Sequence, residues 1–220
     1  MLTDLIKNLK KDFKIEFRNK YAINISLAFA GISTLTISLI LGGRPLAPQT
    51  EAIIFWIILF FSAISGLAYI FVREEEKQNS LFLAINFSPE TIYLSKLIFN
   101  IILFFVIQTI VALLYIFFRQ LEIKNILLWL LITNSGGLAI SITITILGAM
   151  IAKTNNQGGL FTVISFPLLL PVLWVAISGT ARSLQAEQIS YYKDIYFLLA
   201  FSGIILTVSF LLFKSIWSEK

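Results

Sequence analysis

The side chains that usually carry out chemistry are scarce in this chain, whose 220 residues contain no His and no Cys. Disulfides, thiolate zinc sites, Cys–His nucleophile pairs and CxxCH attachment are therefore excluded. Of the side chains that can ligate haem iron, only Tyr and Met remain. No Gly-rich run leads into Lys-Ser or Lys-Thr, so there is no P-loop, and neither HExxH nor GxSxG occurs. No directly bound cofactor or metal is expected, and an intramembrane enzyme cannot be assembled from what is left. The remaining chemistry is recognition, by one charged segment and by a few amides set among apolar runs.

The charged segment reads Arg73-Glu74-Glu75-Glu76-Lys77-Gln78-Asn79-Ser80, then Leu81 to Ile85, then a Ser88-Pro89 break, and closes near Lys96. Physically it is a short polar stretch followed by an apolar half-turn. Such a stretch suits a small helix docking on a soluble partner, and it equally suits a solvated connector.

Among the apolar runs, Asn100 and Gln108 lie eight residues apart, which at 100° per residue leaves them on roughly one side of a helix. Amides at membrane depth need partners, so this side is expected to face other helices rather than lipid. Thr133, Gly137, Ser141, Thr145 and Ala149 form a four-residue ladder of small side chains, with Asn134 beside it. Small residues let helix backbones approach closely. The ladder reads as a helix–helix seam, within the subunit or across a dimer, with a substrate-lining face as the sharper alternative. Pro167 and Pro171 stand four apart, and each removes a backbone donor, so a kinked helix or a hinge is expected there. The Gly pairs at 42–43 and 158–159 read as turns.

These residues must be positioned by membrane helices. The chain is 58% hydrophobic, with a mean hydropathy of +0.88, and a span needs about 20 mainly apolar residues to cross ~30 Å of hydrocarbon. Six runs qualify, at about 21–41, 52–72, 97–118, 126–151, 160–179 and 195–213. They leave no room for a separate soluble domain, so residues 1–220 read as one all-α integral membrane domain with no charged residue inside the core of any span. Before them, Leu2, Leu5, Ile6, Leu9, Phe13 and Phe17 recur at three- and four-residue steps, and Lys7, Lys10, Lys11, Lys14 and Arg18 fall largely elsewhere. That pattern predicts a basic amphipathic helix lying in the membrane interface over 1–20.

Of the 17 Lys and Arg, 12 lie in the N-terminus, the 73–96 loop, the turn at Lys153 and the C-terminus. Arg44, Arg119, Lys124, Arg182 and Lys193 lie on the other side. The asymmetry predicts both termini in the cytoplasm. Next to apolar spans, the net charge of +5 reads as topology and contact with anionic lipid, not as nucleic-acid binding.

In this order, the basic N-terminal helix with Phe17-Arg18, the run from Arg73 through Glu74–Glu76, Ser80-Leu81, Pro89 and Lys96, and Gly158-Gly159 followed by Phe166-Pro167, Leu168–Leu170 and Pro171 resemble CcmB, the haem-exporter B subunit of the cytochrome c maturation system. Gln78-Asn79 stands where members often carry Asp-Gly. The resemblance implies an ABC-2-type permease fold with the N-terminal helix as its interfacial elbow. It implies a CcmA-like cytoplasmic ATPase that binds the ATP, a CcmC-like membrane protein that handles haem, and a CcmE-like haem chaperone. Under it Arg73, Glu74, Glu75, Glu76, Lys77, Ser80, Leu81 and Pro89 form the ATPase-coupling loop. Asn100, Gln108, Asn134, Gly137, Ser141 and Thr145 serve packing or a path, and Pro167 and Pro171 a hinge or kink. The expected compartment is a bacterial inner membrane, or the mitochondrial inner membrane for an organelle-encoded copy. An ABC-2 exporter of a lipid-linked glycan or drug, and a non-transporting scaffold of the maturation complex, are the alternative functions.

Overall fold

The structure, a computed structural model, describes residues 2–42, 44–67, 71, 83, 85–152, 157–185 and 192–218. Among them all regular structure is helical: α1 Leu2–Asn19, α2 Tyr21–Leu41, α3 Pro48–Leu67, α4 Pro89–Arg119, α5 Ile126–Ala152, α6 Gln157–Ser183 and α7 Tyr192–Ser218. Helices α2 to α7 are each long and apolar enough to cross a membrane.

Local chemistry sets where these helices begin and end. Ser88 caps α4 by accepting from the Thr91 N–H at 3.4 Å, and Pro89 opens its first turn, where a missing donor costs nothing. The Ser-Pro break is thus a helix start, and α4 begins eight residues before its apolar run. Its 31 residues span roughly 46 Å at 1.5 Å per residue, well beyond the hydrocarbon thickness. Gly42, at φ 56°, closes α2 with its N–H on the Ser38 and Leu39 carbonyls. Gly158 and Gly159, read as a turn, lie instead in the first turn of α6. Glycine is tolerated there because a helix's first N–H groups have no intrahelical partner to hold.

The central helix is α5, nearly all of which is buried, packed by α3, α4, α6 and α7. At the periphery α2 buries only Ala22, Ser26, Ala30 and Thr34. This small-residue row lies on α3, where Ser26 Oγ donates to the Ser62 carbonyl at 2.7 Å and Gly66 leaves no room for a Cβ beneath Ser26. Close approach of this kind replaces the hydrophobic drive that lipid removes. Trp56 of α3 is fully buried, with its indole N–H on Thr180 Oγ1 of α6 at 2.8 Å and its ring over Gly136 of α5.

The end of the bundle that holds α1 and the start of α4 is here termed the near end, and the opposite one the far end.

Candidate functional site

The near end is built on α1, which has three faces rather than two. Its basic residues form one face. The apolar set is divided: Leu5, Leu9 and Phe13 turn toward the bundle, whereas Ile6 and Phe17 are exposed. The third face, Asn8, Asp12 and Glu16 at four-residue steps, is polar and buried.

Each member of that polar face has a partner elsewhere in the bundle. Asn8 Nδ2 donates to Ser95 Oγ at 2.7 Å, and Ser95 Oγ donates to the Ile92 carbonyl. Asp12 Oδ1 accepts from Lys96 Nζ at 2.8 Å, with both side chains fully buried. Glu16 Oε1 accepts from the Ile23 N–H at 3.2 Å, filling one of the orphan donors of the first turn of α2. Helix α1 therefore ties the start of α2 to the start of α4. Phe13 meets Phe99 edge-on, with centroids 5.0 Å apart. Opposite, Tyr93 of α4 packs on Phe210 and Phe213 of α7, and Phe71 lies against Phe213. These two clusters flank both ends of the segment that joins α3 to α4.

In the interior, Asn100 Nδ2 donates to Thr145 Oγ1 at 3.0 Å and reaches the Leu67 carbonyl at 3.4 Å. Gln108 is buried against Gly137, where an added Cβ would collide with the Gln108 amide and come within 2.9 Å of Phe104. The ladder of α5 thus meets α4 inside the subunit. Ser141 Oγ bonds back to its own helix, on the Leu138 carbonyl. Asn134 is exposed and donates to the Leu130 carbonyl. Pro167 and Pro171 lie on the outer face of α6, which continues as a helix through both.

The far end carries a denser cluster. Arg119, the last residue of α4, donates through Nε and Nη2 to the two oxygens of Glu51 in the first turn of α3, at 3.3 and 2.5 Å. A second bond from Nη2 reaches the Arg44 carbonyl at 2.9 Å, and Tyr115 Oη donates to Glu51 Oε2 at 2.7 Å. Arg182 and Asp194 pair close by, and the Asn125 N–H holds the Ser183 carbonyl. At the exposed rim Lys124 holds the Glu122 carboxyl below its ordinary range through a hydrogen bond.

Lys96 and Arg119 are 23 residues apart on one helix, about 35 Å, slightly more than the hydrocarbon thickness. The two buried ion pairs therefore bracket the apolar core. Lys96, read as closing a loop, is a helix residue compensated by Asp12 from a distant part of the chain.

The family model of the CcmB protein matches residues 3–216. The chain belongs to the CcmB family. It is accordingly a multi-pass membrane permease subunit of haem transport in cytochrome c biogenesis. No curated protein matches it. Of the residues that the CcmB resemblance assigns to ATPase coupling, Arg73, Glu74, Glu75, Glu76, Lys77, Ser80 and Leu81 lie outside the described residues. Pro89 is described, and it starts α4.

Three features of this CcmB chain escaped the sequence reading: the Asp12–Lys96 pair, the Glu51–Arg119–Tyr115 cluster and the Trp56–Thr180 bond. Only the first left a local signal, the Asn8-Asp12-Glu16 stripe opposing the basic face of α1.

Proposed function

We propose that this chain is the permease subunit of an ABC-type complex in cytochrome c maturation, coupling ATP hydrolysis on a CcmA-like partner to haem export or to release of a haem-loaded, CcmE-like chaperone. In this reading the near end is cytoplasmic, in a bacterial inner membrane or its mitochondrial counterpart, and the 73–81 segment receives the ATPase. The chain itself is non-catalytic and binds no cofactor, and a CcmC-like subunit handles haem. The family match over residues 3–216 carries the reading. The construction of the near end supports the coupling role, because the segment between α3 and α4 runs directly into a helix start that is tied to α1. A push on that segment would move α4 and α1 together, since a buried ion pair resists separation.

The test is a mild-detergent pull-down of the tagged protein, with bound partners identified by mass spectrometry. An ATPase recovered with haem-handling membrane proteins supports the proposal. An ATPase without them points to an ABC-2 exporter of another substrate, and no ATPase at all overturns the coupling role.

A further inference from the structure

Helices α1 and α2 are joined by one residue, Lys20, which sits at φ 50° and ψ 24°. That left-handed region is costly for a residue with a Cβ, and such conformations persist only where the surroundings hold them. Here the Lys20 N–H donates to the Glu16 carbonyl at 2.5 Å, and the Asn24 N–H donates to the Lys20 carbonyl at 2.9 Å. Glu16 Oε1 clips the joint from outside by accepting from the Ile23 N–H. The helices on the two sides of Lys20 belong to different pairs. On one side α1 is fastened to α4 by the Asn8–Ser95 and Asp12–Lys96 bonds and the Phe13–Phe99 contact. On the other, α2 is seated along α3 through the Ser26–Ser62 bond and the close approach at Gly66. Among the described residues, the bonds between the two pairs gather at the far end. There Arg119 and Tyr115 bind Glu51, and Ser38 Oγ donates to the Phe118 carbonyl at 2.5 Å. Toward the near end the links are weaker: Asn100 Nδ2 reaches the Leu67 carbonyl only at 3.4 Å, and Glu16 holds Ile23 at 3.2 Å.

We propose that Lys20 is a hinge: α1 and the start of α4 swing as one body against α2 and α3, pivoting on the far-end cluster, and the bend is taken up at Lys20. Hinges are a few element-terminal residues that absorb a change in φ and ψ, and one strained residue between two stiff helices meets that need. Strain at Lys20 favours opening and the Glu16 clip opposes it, so the resting angle is held without being locked. Exposed Ile6 and Phe17 lie beside the basic face of α1, so the helix keeps its contact with the membrane interface as it swings. The proposal deepens, and rests on, the reading that a partner ATPase drives the near end.

The chain has no native Cys, so pairs of spin labels on introduced Cys can report its distances within the whole complex in lipid nanodiscs. One pair, Lys10 with Ile32, spans α1 to α2, and the other, Lys10 with Glu90, spans α1 to α4; all three positions are exposed. During ATP turnover the Lys10–Ile32 distance should shift by about 5 Å, the arc of a ~15 Å arm of α1 turning through roughly 20°. The Lys10–Glu90 distance should stay unchanged. Lys20→Val, whose branched side chain disfavours positive φ, should show the shifted distance in part of the population without nucleotide. Lys20→Gly, which enters the left-handed region freely, should keep the resting distance. An equal shift in both label pairs overturns the proposal, as does a Lys20→Val variant that rests where Lys20→Gly rests. If an ATPase binds and turns over but the Lys10–Ile32 distance does not move, only the hinge falls. If no ATPase binds, the functional reading falls and the hinge falls with it.

Discussion

The two ends of α4 are both held by buried ion pairs, but they are held differently. At the far end each oxygen of Glu51 is engaged, and Arg119 also binds the Arg44 carbonyl, so two helices and a loop are cross-braced. At the near end, among the described residues, one bond joins Asp12 to Lys96 and Lys11 Nζ lies 3.7 Å from the same oxygen, while Asp12 Oδ2 and the neighbouring Asn8 Oδ1 have no partner. Arg119 Nη1 also lacks a partner, so neither end is fully satisfied, but four hydrogen bonds knit the far-end cluster, and the more densely bonded network is the more rigid. Under the proposed coupling role, the far end serves as the anchor and the near end as the part that is repositioned. That ordering suits a subunit driven from the side where its α3–α4 segment lies.

The largest expected effect breaks the anchor. Arg119→Met leaves the Glu51 carboxylate buried without its cation, and should cost about 3–5 kcal/mol, seen as a collapse of the melting temperature in detergent or as loss from the membrane. The equivalent break at the near end, Lys96→Met, should be milder and local. Helix α1 can release Asp12 to water, so the expected loss is about 2–3 kcal/mol confined to α1, read as proteolysis near residue 19 with the bundle intact. A paired replacement sharpens the contrast. Asp12→Leu with Lys96→Met should recover stability to within about 1 kcal/mol, because both charges leave together. Glu51→Leu with Arg119→Met should recover less, since the Arg44 carbonyl loses its donor and the Tyr115 hydroxyl keeps only the Glu51 backbone carbonyl at 3.1 Å. Equal recovery at both ends would erase the distinction between anchor and mobile end.

Away from the ends the effects are smaller. Gly137→Val should cost about 1–3 kcal/mol by overpacking against Gln108 and Phe104, whereas Gly31→Ala, with open space around it, should be neutral or slightly stabilising. Asn100→Leu should cost about 0.6–1.7 kcal/mol, the range of single interhelical hydrogen bonds in membranes. Thermal melts in one detergent compare all three.

How much of this was legible in the sequence depends on range. The run 21–41 coincides with α2 because its apolar stretch is bounded by Lys20, at φ 50°, and by Gly42. The apolar run 97–118 does not mark where α4 begins, for a physical reason: hydropathy stops at Lys96, but a helix does not stop at a lysine whose charge is met. The compensating Asp12 is 84 residues away in sequence, and the Glu51–Arg119 contact spans 68. No local pattern carries such pairings. The small ladder of α5 was visible from four-residue spacing, while its partners on α4, Asn100 and Gln108, could be named only as amides that needed bonds. In α1 the basic and apolar faces were plain, but the polar stripe of Asn8, Asp12 and Glu16 went unread, because charge in a short interfacial helix normally faces water.

The most direct test of the central claim, that the near end receives the force of ATP hydrolysis, is cytochrome c assembly in the Glu74→Ala, Glu75→Ala, Glu76→Ala triple variant, with the amount of protein in the membrane measured alongside. The account predicts that assembly is lost while the protein remains in the membrane at its normal level. Normal assembly in that variant would contradict it.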